Sequence, residues 1–382
     1  MSKKRVILVS MGNLHFFRWC ELLNNKDIDY YWFDVLDGGS YAPRISHIKQ
    51  IYSWKFRFNY PLRYFIKIHF PGLYRLIGKI NDRSTEKVFQ NLLERIKPDL
   101  VHSFELFIAC APISEVMANN KIPWMYSSWG SDVFYAEKNV ETRQIFSSII
   151  RRIDYLITDC NRDFEICRKQ GFLGSFLGVI PGGTGIDREF ININVKDWFN
   201  RNLIIVKGYQ GKYGRCIEVI KALNNLSELV SPYQVLVFFA HDEVKEFIDS
   251  TELKIDITYN GGMSHHDLLS LMQQSWMYIG NSISDGIPNT LIEAALCGCI
   301  PVQSNPGNAS AELIVEGYNG YLIQDAEDIK QIENTILLAI AKRQCFEEGL
   351  KHNTIELFIN YDRKMVKNKV NEVYKTVWNN EG

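Results

Sequence analysis

The sequence predicts an α/β protein built from two doubly wound domains. Three observations carry this. The chain has 382 residues, more than a single ordinary core accommodates. Short runs rich in β-branched and aromatic residues alternate with longer helical patterns, which is the signature of parallel βαβ units. The alternation then restarts in the second half. In the first half the strands are expected at residues 6–10, 99–102, 124–127 and 155–158. In the second they are expected at 203–206, 235–239, 255–259, 277–280 and 300–303. Between the halves, residues 179–187 carry a glycine density that suits a connection rather than a core element. The expected domains are therefore 1–182 and 183–360. A closing amphipathic helix over 361–382 follows, with Met365, Val366, Val370, Val373, Tyr374 and Val377 at helical spacing. Two such sheets facing one another would place their strand carboxyl ends, where doubly wound sheets bind ligands, in a cleft between domains.

Composition narrows the function class. A hydrophobic content of 46% and a charged content of 23% are those of a folded, water-soluble chain. A net charge of -1 gives no argument for nucleic-acid binding. The apolar stretch after Lys3, Lys4 and Arg5 is too short for a signal-peptide core or a membrane span, so a cytoplasmic location is expected. The eight cysteines form no Cys-x-x-Cys pair, which suggests reduced thiols and neither a zinc site nor a disulfide framework.

Chemistry concentrates after residue 280. Asp285-Gly286-Ile287-Pro288-Asn289-Thr290 leads into a helical run over 291–297 that Gly298 closes, with Asn289 as the expected N-cap. The amino end of such a helix offers N–H groups and a positive dipole end to a phosphate, and Gly286 lets backbone approach a ligand. Glu293 lies one turn inside, where its carboxylate can accept hydrogen bonds from two neighbouring ribose hydroxyls. Asp285 would lie nearer the sugar end of the same ligand. Spacing alone does not separate this from an ordinary capped helix with incidental acids.

A second cluster opens the later domain. Lys207-Gly-Tyr-Gln-Gly-Lys212-Tyr-Gly-Arg215 places three cations and three glycines between a strand and a helix expected over 216–223, the geometry of a phosphate-facing loop. Lys207, Lys212 and Arg215 are the candidate diphosphate ligands. His265-His266-Asp267 reads as a polar helix start without chemistry.

Residues 284–302 resemble the signature of family 4 retaining glycosyltransferases: an acid, Gly, an apolar residue, Pro, and a second acid eight positions after the first, then Ala, a small-residue turn and Pro-Val. Residues 312–323 resemble that family's next landmark, and the terminal helix resembles the one that returns to the amino-terminal domain. The resemblance implies the GT-B fold, a nucleotide diphosphate sugar donor, UDP-linked, and transfer with retention. In that chemistry the departing phosphate oxygen helps accept the acceptor's proton, so no dedicated base is required. It also implies that no metal cofactor is needed, the cations of the 207–215 loop balancing the leaving charge. Two positions depart from the family: Asp285 stands where Glu is usual, and Tyr209 where an Arg is expected.

On the acceptor side, Gly12 and His15 follow the first strand; Gly12 is a candidate to meet the donor, and His15 is a candidate catalytic residue together with Asp285 and Asp132. Ser128-Trp129-Gly130-Ser131-Asp132 resembles the family's Gly-Ser-Asp landmark, with Trp129 where His is frequent. Asp132 is a candidate to orient the acceptor hydroxyl; a buried structural acid is the equal alternative. His102 and Glu105 are weaker candidates. Residues 44–79 hold eight Lys or Arg, no Asp or Glu, and many aromatics. This suits docking at an anionic membrane surface, where each cation contributes about 1 kcal/mol, and implies a glycan or lipid-linked saccharide acceptor; a solvated basic insertion is the alternative.

The expectation is a hexosyl- or N-acetylhexosaminyltransferase of surface-polysaccharide assembly, peripheral on the inner membrane face. A nucleotide-sugar 2-epimerase of the same fold and a non-catalytic nucleotide-sugar-binding subunit are the rival readings.

Overall fold

The computed structural model describes residues 3–182, 185–191 and 198–379. The chain forms two compact units. The first is Met1–Thr158 with Phe164–Gly178 and Val370–Gly382; the second is Asp159–Asp163 with Val179–Lys369. The boundary read at residue 183 falls outside the described residues.

The first unit holds β1 (Lys4–Ser10), β2 (Ile28–Asp34), β3 (Lys49–Ile51), β4 (Leu100–Phe104), β5 (Trp124–Ser127), β6 (Tyr155–Thr158) and β7 (Ser175–Val179), in the order β3-β2-β1-β4-β5-β6-β7. β1 pairs in parallel with β2 and β4, and Val6 through Val9 are fully buried, because helices cover both faces of the sheet. Phe33, Phe89, Trp124 and Ile150 belong to the core beside it.

The second unit holds β8 (Leu203–Lys207), β9 (Gln234–Phe238), β10 (Ile257–Asn260), β11 (Ser275–Gly280), β12 (Ile300–Ser304) and β13 (Tyr321–Ile323), ordered β10-β9-β8-β11-β12-β13 with parallel pairing. In each sheet the strand order reverses direction once, between β1 and β4 and between β8 and β11. Ligands of doubly wound sheets bind beyond the strand carboxyl ends at such points.

Four strands were not legible as such in the sequence: β2, β3, β7 and β13. β2 carries Asp29 and Asp34 inside an aromatic run, and Asp29 pairs with Lys49 of β3 at 2.9 Å, so its polarity is satisfied within the sheet. β7 contains Gly178 at φ 120° and lies at the sheet edge, where weak β-propensity is tolerated. The strand expected at 255–259 forms later, at Ile257–Asn260.

The terminal helix Arg363–Asn379 begins in the second unit, and from Val370 it belongs to the first. There the Tyr374 hydroxyl lies 2.9 Å from His102 Nδ1 and accepts the Trp19 indole N–H at 3.1 Å. His102 Nε2 is 2.8 Å from Ser127 Oγ. Burial without a charged partner pushes the His102 pKa from 6.5 down to about 3, so the ring is neutral. Among the described residues, no helix is long and apolar enough to cross a membrane.

Candidate active site

β8 and β11 are neighbours at the reversal of the second sheet, and the candidate residues cluster at their carboxyl ends. Lys207 ends β8 and Asp285 follows β11; their side chains are 3.7 Å apart. Lys207 Nζ also lies 4.7 Å from the Tyr209 ring, and Tyr209 stacks on His241 at 4.9 Å. The aromatic at the position where an Arg was expected thus packs against the cation beside it.

The helix spans Asn289–Leu296, one turn after Gly286. Its N-cap is Pro288 and not Asn289, a correction to the expected cap. The Asn289 amide instead donates to the Gly182 carbonyl at 2.7 Å, drawn away from its own helix end. Gly286 N–H donates to Asp285 Oδ1 at 3.0 Å, and Ile287 N–H to Asp159 Oδ2 at 3.1 Å. Thr290 Oγ1 lies 2.9 Å from the Tyr278 hydroxyl beneath it. Gly298 closes this stretch at φ 83°, a left-handed stop.

Glu293 is buried with its helix, its side chain only 6% exposed, and His265 Nε2 lies 2.8 Å from its Oε1. His265 opens the helix His265–Gln274, capped by Ser264. From the sequence, this histidine is expected only as a polar helix start. It is that, and it also holds the carboxylate proposed for the ribose.

The 207–215 loop is tightly constrained. A Cβ on Gly214 would come 2.2 Å from the Tyr209 carbonyl oxygen, so only glycine fits there. Arg215 donates from Nη1 to the Gly211 and Gly214 carbonyls at 2.8 Å each and from Nε to Glu327 at 2.8 Å. Part of its cation is therefore spent on loop shape. Lys212 is exposed, 4.8 Å from the Tyr213 ring.

In the first unit the candidates follow β1 and β5. Gly12 packs where a Cβ would meet the Trp32 and Phe17 rings at 3.1 and 3.2 Å, so its lack of a side chain serves aromatic packing. His15, in the first turn of the helix Leu14–Leu22, is exposed, with its ring 5.8 Å from that of Trp129. Asp132 is buried, and its carboxylate accepts from Leu106, Trp129 and Val133 N–H and from the Tyr126 hydroxyl at 2.6 to 3.0 Å. Burial raises its pKa against the pull of these donors. This is the arrangement of a structural acid that shapes the 129–133 turn. Glu105, at φ 77°, turns its carboxylate back onto the Ile108 N–H. His102 is occupied by Tyr374 and Ser127, away from solvent.

Residues 192–356 match the model of the glycosyl transferases group 1 family, and residues 87–160 match that of the glycosyl transferase 4-like family. The chain is a group 1 glycosyltransferase. It has the GT-B fold: sucrose-phosphate synthase from Thermosynechococcus elongatus superposes with a TM-score of 0.70 at 14% identity, covering 98% of this chain and 99% of that one. Anabaena HepE, solved in complex with UDP-glucose, gives 0.68 at 15% identity over 98% and 99%. A Salmonella typhi Vi polysaccharide biosynthesis protein, VipC/TviE, is 40% identical over 58 residues, 15% of this chain and 10% of its own length. That match spans only about a tenth of the relative.

Within this glycosyltransferase the sequence reading missed the segment 159–163. Arg162 Nη1 donates to the carbonyls of Asp285 at 2.8 Å and Pro306 at 2.6 Å, while its Nη2 pairs with Asp163 at 2.7 Å. Burial works against this charge, but Asp163, Cys160 and Asp159 outweigh it and hold the Arg162 pKa above its usual value. Glu312 accepts from the Asn161 N–H and amide at 2.7 Å each, and from the Arg162 N–H at 2.9 Å. Asp159 Oδ1 accepts from Gly182 N–H at 3.0 Å. These contacts clamp the 285–287 loop. The signal available was a run of charged and amide residues directly after a buried strand.

Proposed function

We propose that this glycosyltransferase moves a hexose or N-acetylhexosamine, with retention, from a UDP-linked sugar to a glycan or lipid-linked saccharide in surface-polysaccharide assembly. One observation carries the donor site: Lys207, Asp285, the start of the helix Asn289–Leu296 and Glu293 converge at the strand-order reversal between β8 and β11. The UDP-glucose bound by HepE supports the choice of donor, and the short likeness to the Vi polysaccharide protein supports the class of acceptor.

In this reading Lys207, Lys212, Arg215 and the helix amino end balance the diphosphate without a resident metal. Backbone from Gly286 through Thr290 lines the phosphates and sugar, and Glu293, held by His265, accepts the ribose hydroxyls. The anomeric carbon–oxygen bond breaks with its electron pair leaving on the diphosphate. The acceptor oxygen bonds to the same face, and its proton passes to the departing phosphate oxygen. Asp285 borders the sugar, Gly12 belongs to the loop after β1 and His15 to the first turn of the helix that follows it, and Asp132 acts through the turn it shapes. A lipid-linked acceptor is favoured by the basic, aromatic segment 44–79, since such acceptors lie at an anionic membrane face.

Replacing Glu293 with Ala removes a charged acceptor worth about 1.5 to 3 kcal/mol, so UDP affinity measured by titration calorimetry falls roughly 10- to 100-fold. Unchanged affinity refutes the site. Sugar-nucleotide epimerisation in the absence of acceptor refutes transfer as the reaction.

A further inference from the structure

Within residues 44–79 the structure separates buried aromatics from exposed ones. Trp54 is buried and donates its indole N–H to the Asp34 carbonyl at 2.7 Å. The surface is instead made by two helices, Arg63–His69 and Pro71–Asn81. The first has no buried residue, and the second buries only Asn81. An ordinary surface helix turns its apolar stripe inward. Here Leu73, Leu76 and Ile80, spaced three and four apart on one face, are 48%, 58% and 67% exposed. Tyr64 and Ile68, four apart on the preceding helix, are 75% and 56% exposed. Phe70, 54% exposed, joins the two stripes, and Pro71 at the first helical position starts the second helix afresh.

Cations accompany these side chains. Arg63 and Lys67, and again Arg75 and Lys79, stand four apart, and among the described residues none of the four is in an ion pair. Neither helix contains an acid. A second copy docked on this face by a two-fold contact would bring like charges together. An anionic lipid surface removes that conflict, since it attracts the cations and takes up the apolar side chains. Helices of 7 and 11 residues are too short to span a bilayer, so they would lie in its interface.

We propose that the helices Arg63–His69 and Pro71–Asn81 form an interfacial membrane anchor, with Tyr64, Ile68, Leu73, Leu76 and Ile80 entering the headgroup and acyl boundary of an anionic bilayer. The anchor gives a place to the lipid-linked acceptor reading and rests on it for its purpose, but its geometry is independent of donor chemistry.

The test is sedimentation of the full chain with vesicles of phosphatidylcholine alone or mixed with phosphatidylglycerol, at low and high salt. It compares the wild type with Ile68→Glu plus Leu76→Glu and with Lys67→Glu plus Lys79→Glu. All four side chains are exposed, so melting temperature and UDP affinity without vesicles are expected to be unchanged. The wild type is expected to bind the phosphatidylglycerol vesicles, weakening with salt, and each double variant to lose roughly ten-fold or more in partitioning. No binding by the wild type overturns the proposal. Undiminished binding by both variants overturns the assignment to these helices, and wild-type dimerisation abolished by the variants without vesicle binding makes the face a self-association surface instead. Loss of UDP binding in the wild type would sink the donor reading and leave the anchor standing.

Discussion

His102 makes the fold of the first unit sensitive to acid over a defined window. Its ring is fully buried between Ser127 and the Tyr374 hydroxyl, and its pKa is pushed down from 6.5 to about 3. Above about pH 6.5 the histidine is neutral whether the chain is folded or unfolded, so it imposes no penalty there. Below that, the unfolded chain takes up a proton that the buried ring refuses. Stability is therefore retained above the unfolded pKa and lost as pH falls towards the folded value. Each unit is worth about 1.4 kcal/mol, so lowering the pH to about 5 costs roughly 2 kcal/mol from this residue alone. The assay is denaturant unfolding of wild type and His102→Gln over a pH series from about 8 to 5, ordinary titration of surface groups being common to both. The variant is expected to be less stable at neutral pH, because it disturbs the contact between Trp19, Tyr374 and the ring, yet to lose roughly 2 kcal/mol less on acidification. Parallel pH profiles for the two proteins would refute the reasoning.

Three further outcomes follow from the second unit. Arg162→Met leaves the fully buried Asp163 without its cation and frees the Asp285 and Pro306 carbonyls, and is expected to cost roughly 3 to 5 kcal/mol by denaturant unfolding. A loss under about 1 kcal/mol would place the clamp outside the stability of the unit. His265→Ala removes the ring that lies 2.8 Å from the Glu293 carboxylate and is expected to weaken UDP binding by about 10-fold in calorimetry, less than loss of Glu293 itself. Gly214→Ala must displace the Tyr209 carbonyl it would meet at 2.2 Å, so a melt shows destabilisation of about 1 to 3 kcal/mol.

The sequence was most informative where structure is local. β5 and β6 occupy the residues expected of them, because short apolar runs bounded by polar residues leave little freedom in their ends. The stop at Gly298 and the helix before it were legible for the same reason. β2 was not: its two aspartates contradict the pattern of a buried strand, and one of them, Asp29, is neutralised by Lys49 on a different strand and by Lys3 ahead of β1. Asn289 does not cap its helix because its side chain satisfies a carbonyl 107 residues away in place of its own helix end. Hydrophobic period identifies elements, but it carries no information about which polar groups meet across them.

The same distinction orders the two acids of the donor segment. Asp285 turns one oxygen to the N–H of the next residue and the other towards Lys207, while its carbonyl is held by Arg162. Its shorter side chain, where the family usually has Glu, is thus engaged within its own loop and with the cation across the β8–β11 junction. In the proposed donor site, that geometry makes Asp285 a positioning partner of Lys207 as much as a residue proposed to border the sugar. Glu293 has a different environment: it is embedded in its helix with His265 on one oxygen. A carboxylate fixed in this way loses little side-chain entropy on meeting a ligand, which is the condition for hydrogen bonds to add to affinity. In the proposed donor site the weight of recognition therefore falls on Glu293 and His265, with Lys207 and Asp285 as the proposed pair that responds to the charge of the diphosphate.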